Sequence, residues 1–291
     1  MREHCAQFAR ALQDRICRRL EQIDDRTFRE DSWDRPGGGG GCSRVLEEGS
    51  VFEKAGVNVS VVHGELSEAF AEDLPGDGRD FYATGTSLVL HPRNPRVPTV
   101  HANFRYIEKG GRCWFGGGGD LTPYYLYDED AVHFHSVWKS ACDRHEIADY
   151  AQLKRDCDEY FYLPHRGEAR GVGGIFFDYL DVSENSLAFW RDMGNSFLDA
   201  YVPIVERRRD EPYGDRERKH QLLRRGRYVE FNLIYDRGTV FGLKTGGRTE
   251  SILMSLPPSV RWDYDAQPPE GSEEAHLLDV LQNPRDWVGS G

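Results

Sequence analysis

The sequence has little that would suit a secreted, membrane-spanning or nucleic-acid-binding protein. Its six cysteines include no Cys-x-x-Cys pair, which favours reduced thiols over a disulfide framework or a zinc ribbon. No apolar run approaches the ~20 residues that a membrane span requires, and the N-terminus has no apolar signal core. Acidic residues exceed basic ones by 49 to 37, which argues against a nucleic-acid partner. We therefore expect a cytoplasmic protein with no transmembrane segment.

The length of 291 residues and the absence of a long linker predict a single domain over residues 1–291. Predicted strands and helices do not alternate strictly, so we expect an α+β fold with a large, mainly antiparallel sheet. The predicted strands cover residues 57–62, 87–90, 99–107, 112–115, 173–180, 227–235 and 239–243. The predicted helices cover residues 9–23, 128–145 and 149–162, and one more begins after Ser183.

Four segments are predicted to interrupt or flank this pattern. Residues 31–41 contain a proline and five glycines and are expected to hold no regular structure. Residues 116–119 are four glycines, which we interpret as an ordered ligand-binding loop. Pro203 is expected to disturb the end of its helix. The acidic tail after Pro258 is expected to be peripheral.

The clearest chemical pattern lies in two neighbouring predicted strands. Alternation places His101, Asn103 and Arg105 on one face of the second strand, and Ser87 and His91 on one face of the first. A solvated outer face of the sheet is the alternative interpretation. Such faces normally carry Lys, Glu and Thr, so this residue set indicates a lined cavity.

Two further positions could bind anions or N–H groups. Asp178 interrupts an otherwise apolar strand, and a buried carboxylate needs a partner. Arg170 is the nearest candidate in the sequence, and a ligand N–H would serve as well. The sequence Gly246-Gly247-Arg248 predicts a tight hairpin turn that presents an arginine for bidentate carboxylate binding. An exposed turn without a ligand is the alternative.

Six stretches also form a recognisable set. They are VFEKAGVNVSVVHG (51–64), SLVLHPRNPRVPTVHANFRY (87–106), WFGGGGDLTPYY (114–125), DEYFYLPHR (158–166), RGVGGIFFD (170–178) and FGLKTGGRTESILMSLPP (241–258). Together they resemble the oxygen-dependent coproporphyrinogen-III oxidases of haem biosynthesis. The resemblance implies helices on both faces of a flat antiparallel sheet and a homodimer formed through about residues 228–263. It also implies oxidative decarboxylation of two propionates of coproporphyrinogen III to vinyls, which gives protoporphyrinogen IX.

The resemblance further implies roles for individual residues. The implied substrate contacts are Ser87, Asn103, Phe104, Arg105, Gly246, Gly247 and Arg248, with Arg170 as an additional arginine for the rim carboxylates. His101 is the implied proton donor, and Asp178 is the implied catalytic acid, with Asp120 as the other carboxylate that could accept the pyrrole N–H groups. The implied metal positions are His91, His101, His135 and His165.

The sequence has no flavin, nicotinamide or haem-ligation signature, so we expect molecular oxygen as co-substrate and no organic cofactor. A divalent metal stays open, because the four histidines are also explained as hydrogen-bonding residues of a cavity. His133 and His135 point ~200° apart on a helix and cannot share one ion. Two other functions stay open as well, a non-catalytic tetrapyrrole carrier and a histidine-bound iron oxygenase.

Overall fold

A computed structural model describes residues 1–244 and 247–289 of the chain and confirms the α+β prediction. Its strands are β1 (Arg29–Asp34), β2 (Gly39–Glu47), β3 (Phe52–Glu65), β4 (Asp80–Pro92), β5 (Thr99–Lys109), β6 (Arg112–Thr122), β7 (Tyr162–Leu163), β8 (Glu168–Ala169) and β9 (Gly173–Asp181). Its helices are α1 (Arg2–Glu21), α2 (Glu68–Asp73), α3 (Asp128–Cys142), α4 (Tyr150–Tyr160), α5 (Glu184–Arg208), α6 (Asp215–Ile234), α7 (Arg237–Lys244), α8 (Thr249–Leu253) and α9 (Glu273–Gln282).

Seven of the strands form one antiparallel sheet in the order β1-β2-β3-β4-β5-β6-β9. Successive strands along the chain are therefore neighbours, except that β9 pairs with β6 after an excursion through α3 and α4. Strands β7 and β8 form a separate two-stranded pair.

One face of the sheet packs into the main hydrophobic core. Leu88, Ala102 and Phe104 point to this side and are buried together with Leu12 of α1 and Trp190 of α5. Side-chain bonds tie α1 to the sheet, since Thr86 Oγ1 donates to the carbonyl of Ala9 at 2.9 Å. This half of the fold follows from the amphipathic pattern of α1 and the alternation of the strands.

The other face, which we call the polar face, carries hydrogen-bonding groups and glycines. The strand register aligns Ser43, Asn58, Ser87, Asn103 and Gly118 in one row across β2 to β6. Helices also cover part of this side, because Ser251 of α8 bonds Ser43 at 2.8 Å between the hydroxyl oxygens. The sheet thus has helices on both faces.

Two predicted strands were wrong. Residues 227–234 belong to helix α6, Tyr235 is its C-cap residue, and residues 239–243 belong to α7. Tyr228 and Phe231 are buried three residues apart, which is the spacing of a helix face. The abundance of aromatic and β-branched residues in this stretch indicated a strand, and burial of one helical stripe outweighed that preference.

Both glycine runs are more regular than predicted. Residues 31–41 form the ends of β1 and β2 and the hairpin between them, with Gly38 at φ +118° and Gly39 at φ +80°. Residues 116–119 are the interior of strand β6 and not a loop. Because these residues are small, side chains from the neighbouring strands can extend across β6.

Pro203 does not end its helix, because α5 continues to Arg208. A proline removes the hydrogen bond to the carbonyl four residues earlier, here that of Asp199. The Nε2 atom of His133 donates to this freed carbonyl at 2.9 Å and compensates the loss. The tail is also less peripheral than predicted, since Leu277 and Leu281 of α9 are buried in the main core.

Candidate functional site on the polar face

An ion pair bridges three strands of the polar face. Arg105 on β5 donates from Nη2 to Oδ2 of Asp178 on β9 at 2.7 Å. The pair crosses over Gly116 of β6, where a Cβ atom would lie 2.7 Å from the carboxylate and 2.8 Å from the guanidinium. The guanidinium of Arg237 approaches the same carboxylate at 3.7 Å. Glycine at position 116 therefore permits a cationic patch around Asp178.

A second, deeper group lies two rows along the same face of the sheet, beyond the row of Asn103. His101 donates from Nδ1 to Oδ1 of Asp120 at 2.9 Å, because the carboxylate can only accept. Asp120 also accepts two hydrogen bonds from Arg170, at 2.9 Å from Nε and 2.7 Å from Nη2. The side chains of Asp120 and Arg170 are 1% and 2% exposed, so this pair is part of the interior.

Aromatic rings enclose the buried arginine. The Arg170 guanidinium carbon lies 4.0 Å from the centre of the Phe161 ring, 4.6 Å from that of Tyr228 and 4.7 Å from that of Phe231. Its Nη1 atom donates to Asn232 Oδ1 at 2.9 Å. These contacts fix the orientation of Asp120 and, through it, of His101.

The expected pairing of Asp178 with Arg170 is therefore wrong. The strand order places Asp178 near Arg105, whereas Arg170 lies beside Asp120. Because the guanidinium of Arg170 is buried and engaged with Asp120 and Asn232, we assign this residue a positioning role and not a substrate contact.

The electrostatics of the deeper group favour a permanently ionised carboxylate. Burial raises the pKa of Asp120, but the charges and hydrogen bonds of Arg170 and His101 outweigh it and leave the pKa below its ordinary value. His101 is 22% exposed, and its Nε2 atom has no hydrogen-bond partner among the described residues. This nitrogen is available to a bound molecule.

The predicted substrate contacts on β4 and β5 divide between the two faces. Ser87 and Asn103 are cross-strand partners on the polar face, and the buried Oδ1 atom of Asn103 has no hydrogen-bond partner within the described part of the chain. Phe104 points the other way and is 1% exposed in the main core. Its side chain therefore does not reach the polar face, and the implied substrate contact of Phe104 stays a prediction that only its backbone could fulfil.

The elements on either side of the predicted Gly246-Gly247-Arg248 turn are helices α7 and α8, and not the two strands of a hairpin. Gly246 lies outside the described residues. The amide of Gly247 donates to the carbonyl of Gly242 at 2.8 Å. Arg248 precedes α8 and donates to Asp31 of β1 at 2.6 Å, so it reaches over the edge of the polar face.

The four predicted metal histidines lie in different hydrogen-bonded settings. His91 bonds Thr99 and the carbonyl of Ser255, and His135 bonds Tyr150 and the carbonyl of Val172, so both ring nitrogens of each are engaged. Burial, reinforced by Lys154, lowers the pKa of His135 to about 3. Within residues 1–244 and 247–289, no group of three or more His, Cys, Asp or Glu side chains could hold a metal ion. These residues do not fit a shared metal site.

Several residues that complete the site were missed. The rings of Tyr160 and Phe176 stack 4.3 Å apart beside the polar face, and Tyr160 donates to Asp236 at 2.9 Å. Arg237 lies over the Tyr160 ring at 4.9 Å. The aromatic stretch around residue 160 was the available signal, but only the fold shows that it borders the glycine-lined strand.

Glu230 joins three segments of the chain next to these aromatic rings, and its ionisation predicts that stability depends on pH. It accepts hydrogen bonds from His165, Arg166, Arg227 and Trp262. Burial opposes ionisation, but these bonds lower the pKa of Glu230 to about 2, from an ordinary value of 4.5. Its contribution to stability is therefore present above about pH 4.5 and is lost as the pH falls towards 2.

We accordingly expect Glu230→Gln to lower the urea midpoint at pH 7 and to have a smaller effect at pH 3. Unfolding curves at both pH values measure this difference. Glu146, which is exposed in the turn between α3 and α4, serves as the control and should change neither midpoint when replaced by Gln. An equal loss for Glu230→Gln at both pH values would contradict the assignment.

The fold and site define an α+β protein with a seven-stranded antiparallel sheet, on one face of which charged and polar groups surround a glycine-rich strand. Within residues 1–244 and 247–289, no helix is both long and apolar enough to cross a membrane. A family model described as coproporphyrinogen III oxidase matches residues 4–287. The chain belongs to this family.

Individual relatives agree with the family model. The oxygen-dependent coproporphyrinogen-III oxidase of Glycine max chloroplasts is 53% identical over 298 residues, which cover 96% of this chain and 77% of that protein. The enzyme of the same name from Prochlorococcus marinus strain MIT 9313 is 52% identical over 316 residues, which cover 98% of this chain and 90% of that protein. A second Prochlorococcus marinus enzyme, from strain SARG, is 52% identical over 310 residues.

Proposed function

We propose that this chain decarboxylates two propionate groups of coproporphyrinogen III to vinyl groups, with molecular oxygen as the electron acceptor, and so produces protoporphyrinogen IX. The observation that carries the site assignment is that two polar atoms on the polar face, His101 Nε2 and Asn103 Oδ1, have no hydrogen-bond partner among the described residues. Family membership supports the chemistry, and this geometry supports the place where it occurs.

The polar face suits the shape of a tetrapyrrole. The substrate has carboxylates at its rim and pyrrole N–H donors at its centre. The Oδ1 atom of Asn103 can accept a pyrrole N–H, and Asp178 can accept another without losing Arg105. Arg105 and Arg237 supply positive charge next to Asp178 for a rim carboxylate. The stacked rings of Tyr160 and Phe176 provide an apolar wall at one side of this face.

The reaction balances for each propionate as follows. The Cβ–H bond and the bond to the carboxylate break, a C=C bond forms, and carbon dioxide leaves. The substrate loses the equivalent of a hydride, and oxygen takes up this hydride and one proton to become hydrogen peroxide. The two acceptors, the amide oxygen of Asn103 and the carboxylate of Asp178, increase the electron density of the pyrrole, which favours its attack on oxygen. The substrate supplies both electrons, so the chain's own residues need only bind, orient and move a proton.

His101 is positioned to supply that proton. Asp120 accepts a hydrogen bond from Nδ1–H and fixes the orientation of the ring, as a buried carboxylate does for a catalytic histidine. The proton on Nε2 then faces the polar face, and the partly exposed ring can take up a new proton from solvent. Arg170 keeps Asp120 ionised and fixed during this cycle.

The proposal is tested by incubating the purified chain with coproporphyrinogen III in air. We expect protoporphyrinogen IX to accumulate over many turnovers. A tetrapyrrole carrier would instead return the substrate unchanged, and that result would overturn the proposal. Full turnover in the presence of a chelator, on protein with substoichiometric metal, is the result expected if no histidine-bound iron takes part.

Arg105 gives a more specific prediction. Arg105→Gln should raise KM roughly tenfold, since a charge-assisted hydrogen bond to a carboxylate is lost. Steady-state kinetics measure this effect. Arg112→Gln is the matched control, because Arg112 lies on the adjacent strand in a pair with Asp181 that is 60% and 87% exposed. An unchanged KM for Arg105→Gln would remove Arg105 from the binding site.

We also propose a cytoplasmic homodimer that forms through about residues 228–263. The support is an exposed apolar group, with Leu233 at 44%, Ile234 at 56% and Trp262 at 52% exposure. The six cysteines are free, as suits a reducing compartment.

The dimer proposal predicts that the wild-type chain sediments as two copies and that Ile234→Glu sediments as one. Val132→Glu is the control, because Val132 is also exposed, at 41%, but lies on α3 outside the proposed interface. Analytical ultracentrifugation distinguishes these states. A monomeric wild-type chain would contradict the proposal.

A further inference from the structure

Two side chains on one cross-strand pair hold the turn that follows α8. Lys54 of β3 and His91 of β4 are direct partners in the sheet register. Lys54 Nζ donates to the carbonyl of Leu256 at 2.9 Å, and His91 Nε2 donates to the carbonyl of Ser255 at 2.8 Å. Ser255 and Leu256 come directly after the C-cap residue of α8, Met254. These two donors therefore tie the C-terminal side of α8 to the sheet.

The bond to Ser255 determines which group donates and which accepts at each step of a longer chain of hydrogen bonds. A carbonyl only accepts, so Nε2 of His91 carries the proton, and the fully buried ring leaves Nδ1 as an acceptor. Thr99 then donates to Nδ1 at 3.2 Å and accepts from the Tyr124 hydroxyl at 2.5 Å. Arg225 Nε completes the chain by donating to Tyr124 at 3.3 Å.

The rest of α8 is fastened to the other strands of the polar face. Arg248 bonds Asp31 of β1, and Ser251 bonds Ser43 of β2. Met254 packs where a Cβ atom on Gly56 of β3 would lie 3.1 Å from its sulfur. Helix α8 and the residues on either side of it thus lie across β1 to β4. Of their contacts with the sheet, the one with His91 on β4 is nearest to β5.

We propose that His91 is a positioning residue, whose Nε2–H bond to Ser255 fixes α8 and Arg248 over the polar face. The inference rests on the proposed function, in which the polar face binds the tetrapyrrole. The Ser43–Asn58 hydrogen bond, 2.9 Å long, connects the α8 contact directly to the row that contains Ser87 and Asn103. A displaced α8 would therefore alter substrate binding more than the chemical step.

Two substitutions distinguish this role from metal ligation. In His91→Gln the amide nitrogen can occupy the position of Nε2 and still donate to Ser255. In His91→Asn the shorter amide reaches only the position of Nδ1, so the carbonyl of Ser255 is left without its donor. We expect His91→Gln to keep KM within about threefold of wild type and His91→Asn to raise KM roughly tenfold, with a smaller change in kcat.

Amide hydrogen exchange of residues 248–256 provides a readout that needs no substrate. Exchange should be faster in His91→Asn than in His91→Gln, and Lys54→Met should shift it in the same direction. Since exchange is measured on the ligand-free chain, an inactive wild-type protein would refute the proposed function without affecting this result. His133→Asn is the matched control, since His133 also donates to a backbone carbonyl but lies away from the polar face.

The control should show unchanged exchange in residues 248–256 and an unchanged KM. A folded His91→Asn variant with wild-type exchange and KM would overturn the proposal. Equal impairment of both His91 variants, together with activity that depends on added metal ion, would overturn it in favour of ligation.

Discussion

Replacing His101 by Phe should lower kcat by ~10²–10⁴-fold, the usual contribution of a positioned proton donor, while KM changes little. Phenylalanine keeps the edge contact to the Phe161 ring, whose centre lies 5.7 Å away, but it has no transferable proton. Steady-state turnover and equilibrium binding of the substrate measure the two quantities separately.

The variant His101→Asn tests the role of the Nε2 proton separately from the hydrogen bond to Asp120. Its amide can still donate to Asp120 from the position of Nδ1, but it has nothing at the position of Nε2. We expect the same loss of kcat as in His101→Phe, with a smaller loss of stability. If His101→Asn turned over within about threefold of wild type, Nε2 would not be the proton donor.

The second large effect concerns the buried pair of Asp120 and Arg170. Asp120→Ala leaves the Arg170 guanidinium buried without its counter-charge, and breaking a buried pair in this way destabilises a protein by about 3–5 kcal/mol. Urea unfolding measures the change in the free energy of unfolding. Turnover should also fall, because His101 loses the group that orients it.

A double-mutant cycle isolates the interaction. Asp120→Ala combined with Arg170→Met removes both charges, so the double variant should lose much less stability than the sum of the two single variants. Asp178→Ala is the comparison on the polar face, where the partner Arg105 is 29% exposed and solvent can replace the lost charge. Additive losses in the Asp120 and Arg170 cycle would contradict the assigned coupling.

Strand periodicity predicted the part of the site that is local in sequence. The alternation of His101, Asn103 and Arg105 was sufficient to place them on one face, because strand β5 is long and its opposite face is strongly apolar. The sequence also placed Ser87 and His91 on one face of the preceding strand, but the register that pairs Ser87 with Asn103 comes from the structure.

Long-range pairs could not be predicted in the same way. The proximity of Arg105 and Asp178 depends on β9 joining the edge of β6 and on the small size of Gly116 between them. No residue near Asp178 in the sequence indicates that it lies beside Arg105. Arg170, the nearest arginine in the sequence, was therefore the predicted partner, and this prediction was wrong. The glycines of β6 were predicted to form a loop for the same reason. Their small size matters only because side chains from distant parts of the sequence meet across them.

Helices α6 and α7 were misread because their burial is set by tertiary packing. Tyr228 and Phe231 contact the buried Arg170, and this contact selects one helical face from a stretch that is rich in strand-forming residues. Likewise, the continuation of α5 through Pro203 depends on His133, which belongs to another helix.

Gas exchange with coproporphyrinogen III as substrate tests the proposed reaction. For each protoporphyrinogen IX formed, two molecules of oxygen should be consumed, two of carbon dioxide released and two of hydrogen peroxide produced. No product should form under argon. Formation of protoporphyrinogen IX without oxygen or any other added acceptor would refute the oxygen-dependent decarboxylation.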